Sequence, residues 1–267
     1  MSSVIAVVNQ KGGVGKTTVV AGLVSSAMQR GHRVLVVDLD PQGAATWITG
    51  VDGDHLRRSL ADAVGSGRAG AARSTVVRSD WSHLVDVVPS DPSLQRFEAI
   101  RGGIETLLGQ RTELRLRRAL DGLARSYAMV LIDCPPSLGD LTTNALAAAD
   151  EALVVVEPTA LSLRGVTSVT GLIERVWERH NGQLDLAGVV VNRMPARGNE
   201  AARQYDELTR VVGSSSVWDP PIPQRVAIAE AASARLPIHR LGSRAADVSG
   251  VFDQLYDRLW DRVGIDA

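Results

Sequence analysis

Asn9-Gln10-Lys11-Gly12-Gly13-Val14-Gly15-Lys16-Thr17-Thr18 contains both lysines of a 267-residue chain. The other 27 of its 29 basic residues are arginine. Arginine is a wide planar fork, whereas lysine is a slim point charge that reaches between phosphates. The pair therefore marks two places where only an ammonium fits, and a phosphate-binding site is the first expectation. The flanks agree. Val4-Ile5-Ala6-Val7-Val8 is a short apolar run of the kind that forms a strand buried on both faces. Thr17 to Gln29 reads as a helix that stops near Arg30-Gly31. In a strand–loop–helix setting the glycines let backbone N–H groups turn inward, and the helix N-terminus adds partial positive charge. Gly12, Gly13, Val14, Gly15 and Thr18 would line such a cradle. Lys16 would hold the β- and γ-phosphates of a nucleotide, and the Thr17 hydroxyl would hold Mg²⁺. The strict pattern G-x-x-x-x-G-K-[ST] fails at its first position, Gln10, and Lys11-Gly12-Gly13 stands in its place.

Composition sets the frame. The chain is 45% hydrophobic and 22% charged, as expected for a globular protein. Its length suits one α/β domain or two small ones. The net charge is −1, so a nucleic-acid surface would have to be a local patch. No apolar run approaches a membrane span. The N-terminus enters its strand at once, leaving no room for a signal peptide, and a cytoplasmic protein is expected. A single cysteine, Cys134, excludes an intramolecular disulfide, and the five histidines show no ligand spacing.

Apolar, β-branched runs alternate with helical stretches along the rest. Arg33–Asp38, Leu84–Val88, Ala128–Asp133, Ala152–Glu157 and Leu186–Val191 read as strands. Thr112–Arg125, Asp140–Ala149, Ser162–His180 and Glu200–Val212 read as helices. The alternation predicts an α/β fold, one domain over residues 1–267, with a mostly parallel central sheet and helices on both faces. Residues 51–82 suggest a short helix near His55–Val64 and then an exposed connection. Ser214–Pro223 reads as an irregular loop. Residues 244–263 read as a C-terminal helix with apolar positions at a 3.6-residue period.

Three strand ends carry further chemistry. Asp38-Leu39-Asp40-Pro41-Gln42-Gly43 puts two acids where α/β folds bind ligands. Alternation sets Asp38 and Asp40 on one side; either can order Mg²⁺-bound water or orient an attacking water. Ile132-Asp133-Cys134-Pro135-Pro136 ends a strand in an acid that would face Mg²⁺. Asn192, after Val189-Val190-Val191, either pairs with adenine's edge or caps a turn.

These motifs resemble the ParA branch of the ParA/MinD ATPases, P-loop proteins with a deviant Walker loop. The resemblance is carried by Lys11–Thr18, Asp38–Gly43 and Ile132–Gly139, in the family's order and spacing. It implies a P-loop NTPase fold, ATP and Mg²⁺ as cofactors, and slow ATP hydrolysis with Asp40 positioning water. It also implies a homodimer in which Lys11 reaches into the partner's site. Nonspecific DNA binding at the nucleoid and a ParB-like activator come with the same resemblance. The resemblance is to the short, chromosomal form, so the extra N-terminal DNA-reading region of the larger plasmid proteins is not expected. One segment departs. The family usually reads I-P-R-N-V-R-L-S-E-A where this chain has Ile222-Pro223-Gln224-Arg225-Val226-Ala227-Ile228-Ala229-Glu230-Ala231. Pro223 remains on the adenine side, Arg225 replaces the adenine-side Asn, and Gln224 and Ala227 replace arginines. Arg197 and Arg225 are the DNA-contact candidates, in a segment (residues 192–244) with eight arginines against five acids. A solvated face is the alternative. The C-terminal helix region has three Arg against five Asp from residue 244 on. Anionic lipid would repel that balance, so packing against the sheet is expected and stable membrane association is not. The alternatives are a MinD-like membrane-cycling regulator, positioning of a protein cargo, and a metabolic relative.

Overall fold

Six consecutive buried residues, Ser3–Val8, form the first strand, β1, in a computed structural model that describes residues 2–53, 56–98 and 112–264. Strands β2 (Val34–Asp38), β4 (Val85–Val88) and β5 (Met129–Asp133) are buried at every position. β6 (Glu151–Val156) and β7 (Asp185–Val191) are buried beyond their first residues. Two short strands, β3 (Val77–Arg78) and β8 (Val217–Trp218), complete one eight-stranded sheet in the order β3-β4-β2-β5-β1-β6-β7-β8. All neighbours are parallel except β3, which runs antiparallel to β4.

Successive strand residues point to opposite faces, so a fully buried strand feeds two cores. Val4, Ala6 and Val8 face α3 (Leu60–Ser66), α5 (Arg115–Ala119), α6 (Asp140–Ala148) and α7 (Ser162–Arg179), through Leu60, Leu116, Leu141 and Val169. α8 (Asn199–Val212) adds Leu208 to that layer. Ile5 and Val7 face α1 (Lys16–Gln29) and α10 (Ala246–Arg262), through Leu23, Phe252 and Leu255. α2 (Ala44–Ile48) and α9 (Val226–Ser233) lie on this second side, where Ala45 and Ala231 are buried. α4 (Gln95–Glu98) is a single turn on the first side. α1 and α10 meet at a glycine: a Cβ on Gly22 would stand 2.2 Å from the Phe252 ring.

Three readings need correction. Residues 51–82 are more than an exposed connection. They carry α3, a 3₁₀ turn at Ala71–Thr75 and the edge strand β3, with Leu60, Ala61, Val64 and Ala72 buried. The helix lies at Leu60–Ser66 rather than near residues 55–64, and His55 falls outside the described residues. The loop Ser214–Pro223 contains β8, whose Trp218 is buried against Gly188. The helix expected over Thr112–Arg125 is broken into a 3₁₀ turn, α5 and a second 3₁₀ turn at Ala124–Ser126, with Gly122 at φ +68° between them.

Candidate active site

The glycine loop runs from the end of β1 to the start of α1. Gly13 and Gly15 have φ of 79° and 90°, the left-handed region that glycine enters without a Cβ penalty. Asn9 pins the entry. Its side-chain amide donates to the Val155 carbonyl, and its Oδ1 accepts from the Lys11 N–H at 3.0 Å. Asn192 pins the exit, with Nδ2 donating to the Val14 carbonyl at 2.7 Å. The packing there is tight enough that a Cβ on Gly15 would lie 2.1 Å from that nitrogen.

The two lysines are placed differently. Lys16, at the start of α1, is 7% exposed. Burial pushes its ammonium pKa down, and the neighbouring carboxylates Asp133 and Asp40 oppose that shift. The Lys11 side chain is 48% exposed and turns to the rim, where Nζ donates to Glu157 Oε2 at 3.0 Å. Glu157 Oε1 accepts from Arg193 Nη1 at 2.9 Å. Burial would raise the Glu157 pKa, but these two cations hold its carboxyl below the usual range. Arg193 itself sits at φ 58°, uncommon for a residue with a Cβ.

Asp38 and Asp133 lie side by side in the register of β2 and β5, both fully buried. Thr17 Oγ1 donates to Asp133 Oδ2 at 2.6 Å, while Asp133 Oδ1 is buried without a hydrogen-bond partner. Asp38 faces its own loop. Oδ2 accepts from the Thr46 N–H at 2.6 Å and the Thr46 hydroxyl at 2.7 Å, and Oδ1 accepts from the Asp40 N–H at 3.2 Å. Burial raises both carboxyl pKa values, and the Asp38 charge adds to the rise at Asp133. Asp40 is half-buried: its Oδ1 accepts from the Gln42 N–H at 2.9 Å, and its carbonyl from the Ser90 hydroxyl at 2.6 Å.

Lys16, Thr17, Asp38, Asp40 and Asp133 thus converge at the carboxyl ends of β1, β2 and β5. Gly12 lies beside Pro136, with a Cβ there 3.5 Å from the proline ring, so the Asp133 loop borders the cradle. Asn192 is buried; one N–H of its amide donates to the Val14 carbonyl and so holds the loop, and its Oδ1 is buried without a hydrogen-bond partner. Pro223 lies next to it, bridged to Met194. Arg225 is also less available than expected, with Nε paired to Asp247 Oδ2 at 2.6 Å. Arg197 is exposed. Asn9, Thr46 and Glu157 escaped the sequence reading. Asn9 opens the glycine motif and could have been noticed there; Glu157 had no local signal.

The AAA domain family model matches residues 2–186. The chromosome partitioning protein ParA of Caulobacter vibrioides is 38% identical over 239 residues, covering 88% of this chain and 85% of its own. The sporulation initiation inhibitor protein Soj of Bacillus subtilis is 33% identical over 250 residues, covering 93% and 95%. The chain belongs to the ParA/MinD family of P-loop ATPases. A solved relative is cobyrinic acid a,c-diamide synthase from Mycobacterium smegmatis, with bound ATP analog and magnesium. It superposes with a TM-score of 0.76 at 30% identity, covering 98% of this chain and 96% of that one. The Cyanothece McdA–ATP complex gives a TM-score of 0.83 at 17% identity, covering 100% and 98%, a likeness of fold.

As a ParA-type ATPase the protein takes ATP with Mg²⁺. The residues present suit the ion. A buried carboxylate oxygen without a partner, beside a hydroxyl at the foot of the glycine loop, is a hard-oxygen donor set. Two neighbouring buried carboxylates also gain from a cation's charge. Asp133 and Thr17 would hold it. When bound, Mg²⁺ neutralises charge developing on the phosphates.

Proposed function

We propose that this ATPase closes into a homodimer around ATP and binds duplex DNA without reading its sequence. Through a ParB-like partner it positions or segregates DNA or another cargo, associated with the nucleoid in the cytoplasm. The observation that carries the reading is the contrast between the lysines. Lys16 is enclosed in its own site, whereas Lys11 stands at the rim on the same loop, held outside the cradle by Glu157. A cation presented outward next to a phosphate site is placed to meet the nucleotide of a second subunit. Lys16 then grips the phosphates of its own ATP, and the backbone N–H groups of Gly12–Thr18 surround them. Asp40 orients the attacking water, and Asp38, through Thr46 and the Asp40 N–H, sets where Asp40 stands. Phosphoryl transfer depends mainly on positioning and charge stabilisation, so turnover is slow until a partner completes the site. Among the described residues no helix is long and apolar enough to cross a membrane.

Light scattering with ATP and Mg²⁺ tests the reading. The wild type should double in mass, and Lys11→Ala should bind nucleotide yet stay monomeric. A Lys11→Ala variant that dimerises like wild type overturns it. Asp40→Ala should trap the ATP-bound dimer. Arg197→Glu should weaken ATP-dependent DNA binding; Arg225→Glu should do less, because Arg225 is engaged with Asp247. A second reading, a diamide synthase, is favoured by the identity to the Mycobacterium smegmatis enzyme. ATP turnover stimulated by cobyrinic acid and indifferent to DNA would select it.

A further inference from the structure

The segment Ser90–Glu98, just beyond β4, touches both acid-bearing loops of the site. At its start Ser90 is buried. Its hydroxyl donates to the Asp40 carbonyl at 2.6 Å, and its N–H donates to Thr46 Oγ1 at 3.0 Å. The same Thr46 hydroxyl donates to Asp38 Oδ2. The Asp40 carbonyl also accepts from the Gly43 N–H at 2.9 Å. The loop's own turn therefore holds Asp40 from inside, and Ser90 holds it from outside.

At its end Glu98 reaches the other loop. One carboxylate oxygen accepts from the Ser137 hydroxyl, and the second accepts from the Leu141 N–H at 3.1 Å. Leu141 lies in the first turn of α6, whose N-cap, Gly139, has no side chain to offer. Glu98 thus supplies, from another element, the acceptor that this helix start lacks. A Cβ on Gly139 would collide with that carboxylate. Ser137 is fixed further by the Thr142 hydroxyl, which donates to its carbonyl at 2.8 Å. One residue earlier, Pro136 borders Gly12 of the cradle. The segment is anchored between its two ends. Asp91 Oδ1 accepts from the Ser93 N–H at 2.6 Å and opens a 3₁₀ turn at Pro92–Leu94. Leu94 is fully buried in the core on the α6 side of the sheet.

We infer that Ser90–Glu98 is a brace for ATP hydrolysis, in which Ser90 and Glu98 are positioning residues that fix the Asp40 loop and the Cys134–Gly139 loop relative to one another beside the phosphate cradle. The inference rests on the proposed role of Asp40. Each of the two residues acts through a loop rather than on the phosphates. A cap for α6 would account for Glu98 alone. It gives no reason for the same short, core-anchored segment to hold the Asp40 carbonyl as well. A displacement of about 1 Å in a positioned group can cost on the order of 10²-fold in rate. The brace leaves Lys16 and the glycine-loop backbone untouched, so loosening it should lower turnover and spare nucleotide affinity.

Phosphate release from ATP and Mg²⁺ by the protein alone, with the nucleotide bound per chain measured on the same samples, tests the brace. Ser90→Ala and Glu98→Ala should each lower turnover per bound nucleotide about tenfold, with ATP affinity within about twofold of wild type. Glu98→Gln keeps an acceptor for the Ser137 hydroxyl and loses the one for the Leu141 N–H. It should recover to about threefold below wild type, and it serves as the second variant if Glu98→Ala folds poorly. Turnover within about twofold of wild type for Ser90→Ala, or for both Glu98 variants, overturns the brace. So does a loss in the Glu98 variants that is matched by a fall in nucleotide bound per chain, the mark of a helix cap alone. Asp40→Ala, measured beside them, separates the two readings. If it hydrolyses ATP like wild type, the Asp40 role falls and the brace falls with it. If it is inactive while the Ser90 and Glu98 variants turn over normally, the brace alone falls.

Discussion

Glu157 accepts hydrogen bonds from Lys11 and Arg193 at once, so the outward lysine is held by an ion pair that the proposed dimer would have to exchange. Half-exposed pairs of this kind are worth about 0.2–1 kcal/mol. Glu157→Gln should therefore let dimers form at a slightly lower ATP concentration, within about a fivefold shift in the midpoint by light scattering. A higher midpoint would show that Glu157 guides Lys11 rather than restrains it. The lysine, threonine and aspartate positions were legible because each belongs to a short motif whose spacing fixes its place on a strand end. Glu157 was not, since it lies 146 residues from Lys11 and only the pairing of β1 with β6 brings the two together. Asn192 was legible as a strand-end residue but not in its direction, which depends on the space Gly15 leaves beside it.

At the scale of elements, α1 and α10 illustrate what a pattern can and cannot tell. The 3.6-residue apolar period marked α10 and implied a buried stripe on it, whereas α1 was marked by the strand–loop–helix setting of the glycine loop. Neither signal could say that the two helices meet at Gly22, where the Phe252 ring occupies the space a side chain would need. α1 carries Lys16 and Thr17, so this contact helps seat the phosphate site from behind. Phe252→Ala should cost about 3–5 kcal/mol in urea denaturation, and Phe252→Leu well under half of that. A loss under 1 kcal/mol for Phe252→Ala would mean that α10 contributes little to holding α1. β3 and β8 went unread because two-residue strands carry no periodicity, and their existence depends on neighbours in the sheet. The break in Thr112–Arg125 arises from one glycine with positive φ, which the arginine-rich helical pattern outweighed on paper.

Across the whole molecule, alternation of strand and helix implied a parallel sheet, but the strand order is tertiary information. So is the network that fastens its β4 side. Asp86 accepts from Arg33 Nη2 at 2.7 Å, from Arg78 Nε at 2.5 Å and from the Tyr127 hydroxyl at 2.9 Å. Burial would raise the Asp86 pKa, and these donors outweigh it and hold the carboxyl below its usual range. A depressed native pKa contributes stability above the unfolded value of about 3.9, and that contribution is lost as pH falls through the native value. Asp86→Asn should cost about 2–3 kcal/mol at pH 7, below the usual buried-pair loss because both guanidiniums are half-exposed. The gap from wild type should narrow only below about pH 4; a gap constant from pH 7 to pH 3 would mean that the carboxylate charge is not what matters. The scarcity of lysine has a practical consequence at this scale. An amine-acylating reagent meets Lys11, the chain's terminal amine and little else, because Lys16 is enclosed. Lys11 should be labelled readily without nucleotide and shielded once ATP draws it into a second subunit, as peptide mass spectrometry would register. Its acylation rate would then time how long each proposed pair survives, read from the single Nζ of Lys11.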